Sequence, residues 1–148
     1  MTDSSPTFEA VALSVEDDIA VLTLNRPETL NALNDAMFRE IPVAVAQAAT
    51  RGARALVLTG AGRGFCSGAD LVGRKMAAPA TAEERERNNR IGFERVISTV
   101  RALHEAPMPV VCAINGVAAG GGVGLALAGD VILMSSTARF VLTFVPKL

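Results

Sequence analysis

At 148 residues the chain is long enough for one domain with a real core, and with half its residues hydrophobic and a fifth charged it is not a disordered polypeptide. The formal net charge of −1 gives no bias toward nucleic acid or an anionic membrane. Two cysteines in no paired spacing, Cys66 and Cys112, suit a reducing compartment such as the cytoplasm and supply no disulfide framework, and the single His104 leaves no zinc cluster.

Residues 1–10 read as a flexible N-terminus; the first six lack the basic start and apolar centre of a signal peptide. The core is expected over 11–148. Residues 11–16 and 19–25 read as two strands joined at Asp17-Asp18, a hairpin. Arg26-Pro27-Glu28 breaks the second strand. Asn34 is a good N-cap for a helix through Met37, Ile41, Val45 and Ala48. Pro42 should kink that helix or mark its true start. Residues 55–59 form a short buried strand, and 60–68 hold too many glycines to be regular. Residues 77–80 read as a loop. Thr81 with Glu84 makes a capping box for a second helix. Phe93, Val96, Ile97, Val100 and Leu103 fall at helical spacing as its buried stripe, and the mixed charges of 83–87 are its solvated face. Pro107 and Pro109 terminate it. A further buried strand (110–114), a short helix (122–128) and a last strand (131–135) follow. The order argues α/β layering. Residues 109–129 carry no charge and could span a bilayer on length alone, but six glycines and Asn115-Gly116 fit a strand, a tight loop and a packed helix instead.

Two glycine-bearing loops follow apolar strands. The first is Gly64-Phe65-Cys66-Ser67-Gly68-Ala69-Asp70. The second is Asn115-Gly116-Val117-Ala118-Ala119-Gly120-Gly121-Gly122. Small residues there let a ligand approach the backbone, and two N–H groups from two loops can then point at one oxygen, the geometry that holds an oxyanion. Tight turns needing glycine only for shape are the plainer reading of either loop alone. Competing motifs fail. Phe65 takes the place of the third glycine of a dinucleotide fingerprint, there is no Walker motif, and Ser67 is one place late for a nucleophile elbow. Cys66 and Ser67 have only His104 as a base, and a histidine at a helix end is ordinarily a favourable C-terminal charge. Cys112 reads as packing, and Asp70 as a cap or loop anchor more than an acid catalyst.

Four stretches together resemble the enoyl-CoA hydratase/isomerase (crotonase) superfamily: Leu24-Asn25-Arg26-Pro27 with Leu30-Asn31-Ala32-Leu33-Asn34; Leu56-Val57-Leu58-Thr59-Gly60; Phe65-Cys66-Ser67-Gly68-Ala69-Asp70-Leu71; and residues 109–130. They stand in family order, from about residue 10 to the end. The resemblance implies a spiral of ββα units, cut here before the family's C-terminal helices, since 146–148 end in mid-pattern. It implies a homotrimer or hexamer when complete, an acyl-CoA thioester as substrate, and no separate cofactor. The Ala69 and Gly121 amides would hold the thioester oxygen. Leu30, Ala32, Ser67, Ala69, Asp70 and Leu71 would line coenzyme A, and Arg26 and Arg63 are candidate diphosphate contacts unless they are plain surface arginines.

The chain departs from the hydratases in one respect. Their first catalytic glutamate lies two residues after the glycine triplet, where this chain has Gly124. Their second falls near 140–145, where Phe144 is the best match and no carboxylate occurs. The resemblance therefore favours the isomerase-like branch that includes ring-modified phenylacetyl-CoA isomerases, which often place a catalytic aspartate just past the point where this chain ends. A hydratase with displaced acid and base, a non-catalytic acyl-CoA binder and an inert truncation product are the alternatives. The 148-residue chain alone is expected to be inactive.

Overall fold

The computed structural model describes residues 7–70 and 81–142. Strands β1 (Val11–Glu16) and β2 (Ile19–Leu24) form an antiparallel hairpin in which Val11 faces Leu24 and Glu16 faces Ile19. Asp17 and Asp18 take φ values of 47° and 64°, the left-handed pair that a two-residue hairpin turn requires. After a 3-10 turn (Pro27–Thr29), helix α1 (Asp35–Thr50) starts at Asn34, whose side chain accepts the Met37 N–H at 2.9 Å. Pro42 lies inside α1 and does not begin it. Strand β3 (Ala55–Gly60) pairs parallel with β2.

Residues 60–68 are not wholly irregular as expected. Strand β4 (Gly64–Cys66) lies within them. Helix α2 (Ala82–His104) begins with the predicted capping box, Thr81 and Glu84 each bonding the other's backbone N–H. Then come β5 (Val110–Ile114), β6 (Val117–Ala119), α3 (Gly121–Ala126), β7 (Val131–Met134) and β8 (Arg139–Val141). They complete two sheets. One has five strands in the order β1-β2-β3-β5-β7, and the other three in the order β4-β6-β8. The main-sheet pairings after the first hairpin are parallel, and β3 and β5 are each followed by a short strand that leaves for the second sheet. Strands of three residues are too short for periodicity to announce, so β4, β6 and β8 were not expected.

The core lies between the main sheet and α1. Leu22, Leu24, Leu56, Leu58, Val110 and Ile114 come from the sheet; Met37, Ile41, Ala44 and Val45 come from the helix. Phe65 is fully buried and is the largest such side chain. Ala10 is also buried, and Glu40 of α1 accepts the Glu9 and Ala10 N–H groups.

The predicted stripe on α2 is corrected by the structure. Leu103 is buried and Val100 packs on the core, but Phe93 is 71% exposed and Ile97 50% exposed. Helical spacing set these residues on one side of α2, yet among the described residues only its C-terminal part is covered, where it lies on α1 and α3. Cys66 and Cys112 are both buried, and burial pushes each thiol up to about 11.

Leu58→Ala should cost about 2–5 kcal/mol by urea unfolding, while Phe93→Ala in the same assay should stay within about 0.5 kcal/mol of the parent. At pH 8 both thiols should resist a disulfide exchange reagent until urea unfolds the chain, because protonated, covered sulfur is a poor nucleophile. Rapid labelling of either cysteine in the native state would contradict the packing described. Because the folded-state values lie above the ordinary value of 9.0, stability should be unaffected by these thiols below pH 9 and fall as the pH climbs towards 11.

Candidate functional site

The site is assembled where the segment leaving β2 meets the two glycine loops. Leu30 and Asn31 take positive φ values of 53° and 57°. Asparagine tolerates that conformation better than most residues, and here its side chain holds three groups. Asn31 Oδ1 accepts the Arg26 N–H at 2.8 Å, and its Nδ2 donates to the Ala61 and Gly64 carbonyls at 2.9 Å each. Asn31 is fully buried, so each bond satisfies a group that water cannot reach. Asn115 does the same from the other side, accepting the Gly60 N–H and donating to the Gly62 carbonyl.

These ties bring the loops close enough that side chains are excluded between them. A Cβ on Gly116 would lie 2.1 Å from the Arg63 carbonyl oxygen, and one on Gly122 would lie 2.2 Å from that of Cys66. Gly68, at φ +92°, would place a Cβ 2.8 Å from the Ala119 oxygen and 3.5 Å from the Gly121 nitrogen. The glycines here are therefore required by contact as well as by turn shape.

Leu33 then sets the first loop. It forms an isolated parallel bridge with Ala69, in which the Leu33 N–H donates to the Gly68 carbonyl at 2.7 Å and the Leu33 carbonyl accepts the Asp70 N–H at 3.0 Å. A trans peptide is planar, with its N–H opposite its C=O. Fixing the Gly68 carbonyl on Leu33 therefore turns the Ala69 N–H to the other side. The second loop is set alike. The Gly120 carbonyl accepts the Val123 N–H at 3.0 Å, which turns the Gly121 N–H out of the first turn of α3. Neither amide has an acceptor among the described residues. Ala69 is exposed and Gly121 half-buried, so both can be reached.

The other expected residues fall into two groups. Ser67 bonds inward, its N–H to the Leu30 carbonyl and its hydroxyl to that of Thr29. Ala32 is buried, and its carbonyl accepts from Arg26 Nη1 at 2.7 Å. The same Nη1 lies 2.8 Å from Asp70 Oδ2, whose side chain is buried. Arg26 thus spends one nitrogen within the fold, where the sequence suggested a diphosphate contact. Asp70 is the loop anchor that its position suggested. Leu30 is half-buried, Arg63 is exposed, and Leu71 lies outside the described residues, as do 77–80 and Phe144.

Leu33, Asn31 and Asn115 are the site residues that were not singled out from sequence. Their signal was weak: an asparagine soon after Arg26-Pro27 and another before Gly116 read as ordinary turn residues. Gly124 sits on α3, where an added Cβ would meet Val100 Cγ2 at 3.9 Å, leaving ordinary room for a side chain that is not there. Asp130 carries structure, accepting the Val110 N–H at 2.8 Å. Among the described residues, no three of His, Cys, Asp and Glu gather as a metal site, and no helix is long and apolar enough to cross a membrane.

The 1,2-epoxyphenylacetyl-CoA isomerase of Escherichia coli (strain K12) is 42% identical over 139 residues, covering 93% of this chain and 52% of that protein. A probable enoyl-CoA hydratase of Rhodobacter capsulatus is 42% identical over 138 residues, covering 93% and 50%. The crystal structure of an enoyl-CoA hydratase/isomerase from Xanthobacter autotrophicus Py2 superposes with a TM-score of 0.79 at 34% identity, over 92% of this chain and 49% of that one. The chain thus spans about half the length of the curated relatives it matches. Its fold is the mixed α/β crotonase fold of these neighbours. The enoyl-CoA hydratase/isomerase family profile matches residues 14–146, and the chain belongs to that family.

Proposed function

We propose that the protein is an acyl-CoA enzyme that holds a thioester carbonyl on the Ala69 and Gly121 amides and stabilises the enolate formed beside it. The observation that carries this reading is the pair of amides turned outward by peptide planes fixed on Leu33 and Val123, with no acceptor of their own among the described residues. Proton removal or addition next to a thioester builds charge on its oxygen. Preset donors meet that charge without reorganising. The substrate is an acyl-CoA thioester, no separate cofactor is needed, and the complete protein acts in the cytoplasm as a homotrimer or hexamer.

Isomerase-like chemistry is favoured over classical hydration. A general base must reach the proton that it moves, and Gly124 carries no such group. The acids of the later half, Glu94, Glu105 and Asp130, do not replace it: Asp130 is held by Val110, and Glu94 and Glu105 stand on exposed parts of α2 and its C-cap. The same observation supports a second reading, an acyl-CoA-binding homologue without catalysis.

The test is binding of a cinnamoyl-CoA ester, whose absorption moves to the red when its carbonyl is polarised. The wild-type chain should give that shift. Gly121→Pro removes one donor at the first position of a helix, where proline's backbone is tolerated, and its Cβ would lie 3.2 Å from Leu33 Cδ1, a side-chain end that must give slightly. It should lose most of the shift while keeping its circular dichroism. An unshifted spectrum with bound wild-type protein would remove the oxyanion reading. Crotonyl-CoA should not be hydrated by the 148-residue chain, and turnover would show that another group replaces the missing glutamate.

A further inference from the structure

We infer that Arg26 and Asp70 are positioning residues for the Ala69 amide, an assignment that rests on the proposed oxyanion reading. Three observations place them there. First, the pair closes the Leu33–Ala69 bridge from one side. Arg26 Nη1 donates to the Ala32 carbonyl at 2.7 Å, on one segment, and lies 2.8 Å from Asp70 Oδ2, on the other. Secondly, both hydrogen bonds of that bridge run through Leu33, the residue after Ala32, and end on Gly68 and Asp70, the residues flanking Ala69. The guanidinium therefore sits one residue away from the bonds that set the Ala69 peptide plane. Thirdly, the pair is shielded, with the Asp70 side chain 7% and the Arg26 side chain 19% exposed, so solvent screens it less than a surface pair. The Arg26 backbone is itself anchored, because its main-chain N–H is held by buried Asn31.

Further back the two segments are tied at Ser67, by the Leu30 and Thr29 carbonyls, and at Gly64, by Asn31; on either side of Ala69 the bridge and the ion pair join them. The 26–34 segment lies outside the sheets, and beyond Asp70 the chain leaves the described residues. Without the ion pair, the Leu33 bonds hold the Gly68–Ala69 peptide with less support and the donor's aim loosens, while the surface that meets the rest of coenzyme A is unchanged. Asp70 and Arg26 act through Ala69 and touch no substrate atom.

The contrast that reads this out is a CoA thioester against the thioether of the same chain, in which a CH₂ replaces the carbonyl. Calorimetric titration of the wild-type chain should favour the thioester. Arg26→Met should cut that preference about fivefold, roughly the net worth of one hydrogen bond, and leave thioether affinity within about twofold. Asp70→Asn keeps an acceptor and should fall between the two. Arg26→Lys keeps the charge, should retain more of the preference than Arg26→Met, and serves as the readable variant if Arg26→Met does not fold. Equal loss of both ligands in the arginine variants would make Arg26 a direct coenzyme A contact and overturn the inference. No loss of either would leave the pair a passive strut and overturn it too. A wild-type chain that binds both ligands equally, or neither, would instead overturn the oxyanion reading itself, and this assignment with it.

Discussion

The close approach of two backbone segments governs this molecule. Residues 63–68 and 116–122 run so near each other that a methyl group at Gly116 or Gly122 would overlap a carbonyl oxygen. Contact of that kind fixes relative position to a few tenths of an ångström, because close-packed atoms have no slack. It also leaves the peptide groups of both segments as the main chemical feature of the surface. Holding an oxyanion on peptide groups needs no side chain with a tuned pKa, and the two thiols that burial pushes up to about 11 are covered and supply no donor to it.

Orientation of the amides comes from a second layer of ties. Asn31, from the segment after β2, and Asn115, from the second loop, both hold the carbonyls of residues 61–64, Leu33 holds the Gly68 carbonyl, and Val123 holds that of Gly120. Each is an ordinary hydrogen bond worth about 1 kcal/mol net. Their joint effect is geometric. In a planar peptide, a bonded carbonyl dictates where the attached N–H points, so a few modest contacts can aim two donors.

Much of this was legible in the residues. The hairpin at Asp17-Asp18, the caps at Asn34 and Thr81, the strands through Leu58 and Cys112 and the helix after Gly120 are local patterns, and they hold because propensity and packing agree there. Membership of the family was carried by four motifs in order, and the profile match over residues 14–146 supports it. What escaped was non-local. The second sheet is built from strands of three residues whose pairing partners lie far away in sequence. The inward turn of Arg26 depends on Ala32 and Asp70 arriving together, which no spacing rule announces. The exposure of Phe93 and Ile97 was missed for a related reason: periodicity selects a helix face but does not say what covers it.

Strand β7 stands at the rim of the main sheet, and all of its residues, Val131, Ile132, Leu133 and Met134, are exposed. Among the described residues no strand pairs with its far side, and the strand itself carries oily side chains with no proline or charge to repel a newcomer. Such a border zips readily onto any extended segment of similar character. In this conformation the chain's colloidal behaviour will therefore follow how concentrated it is, and dilution will do more to keep it dispersed than screening of charge, since the attraction is apolar and not ionic, and strongly salting-out anions will work against it.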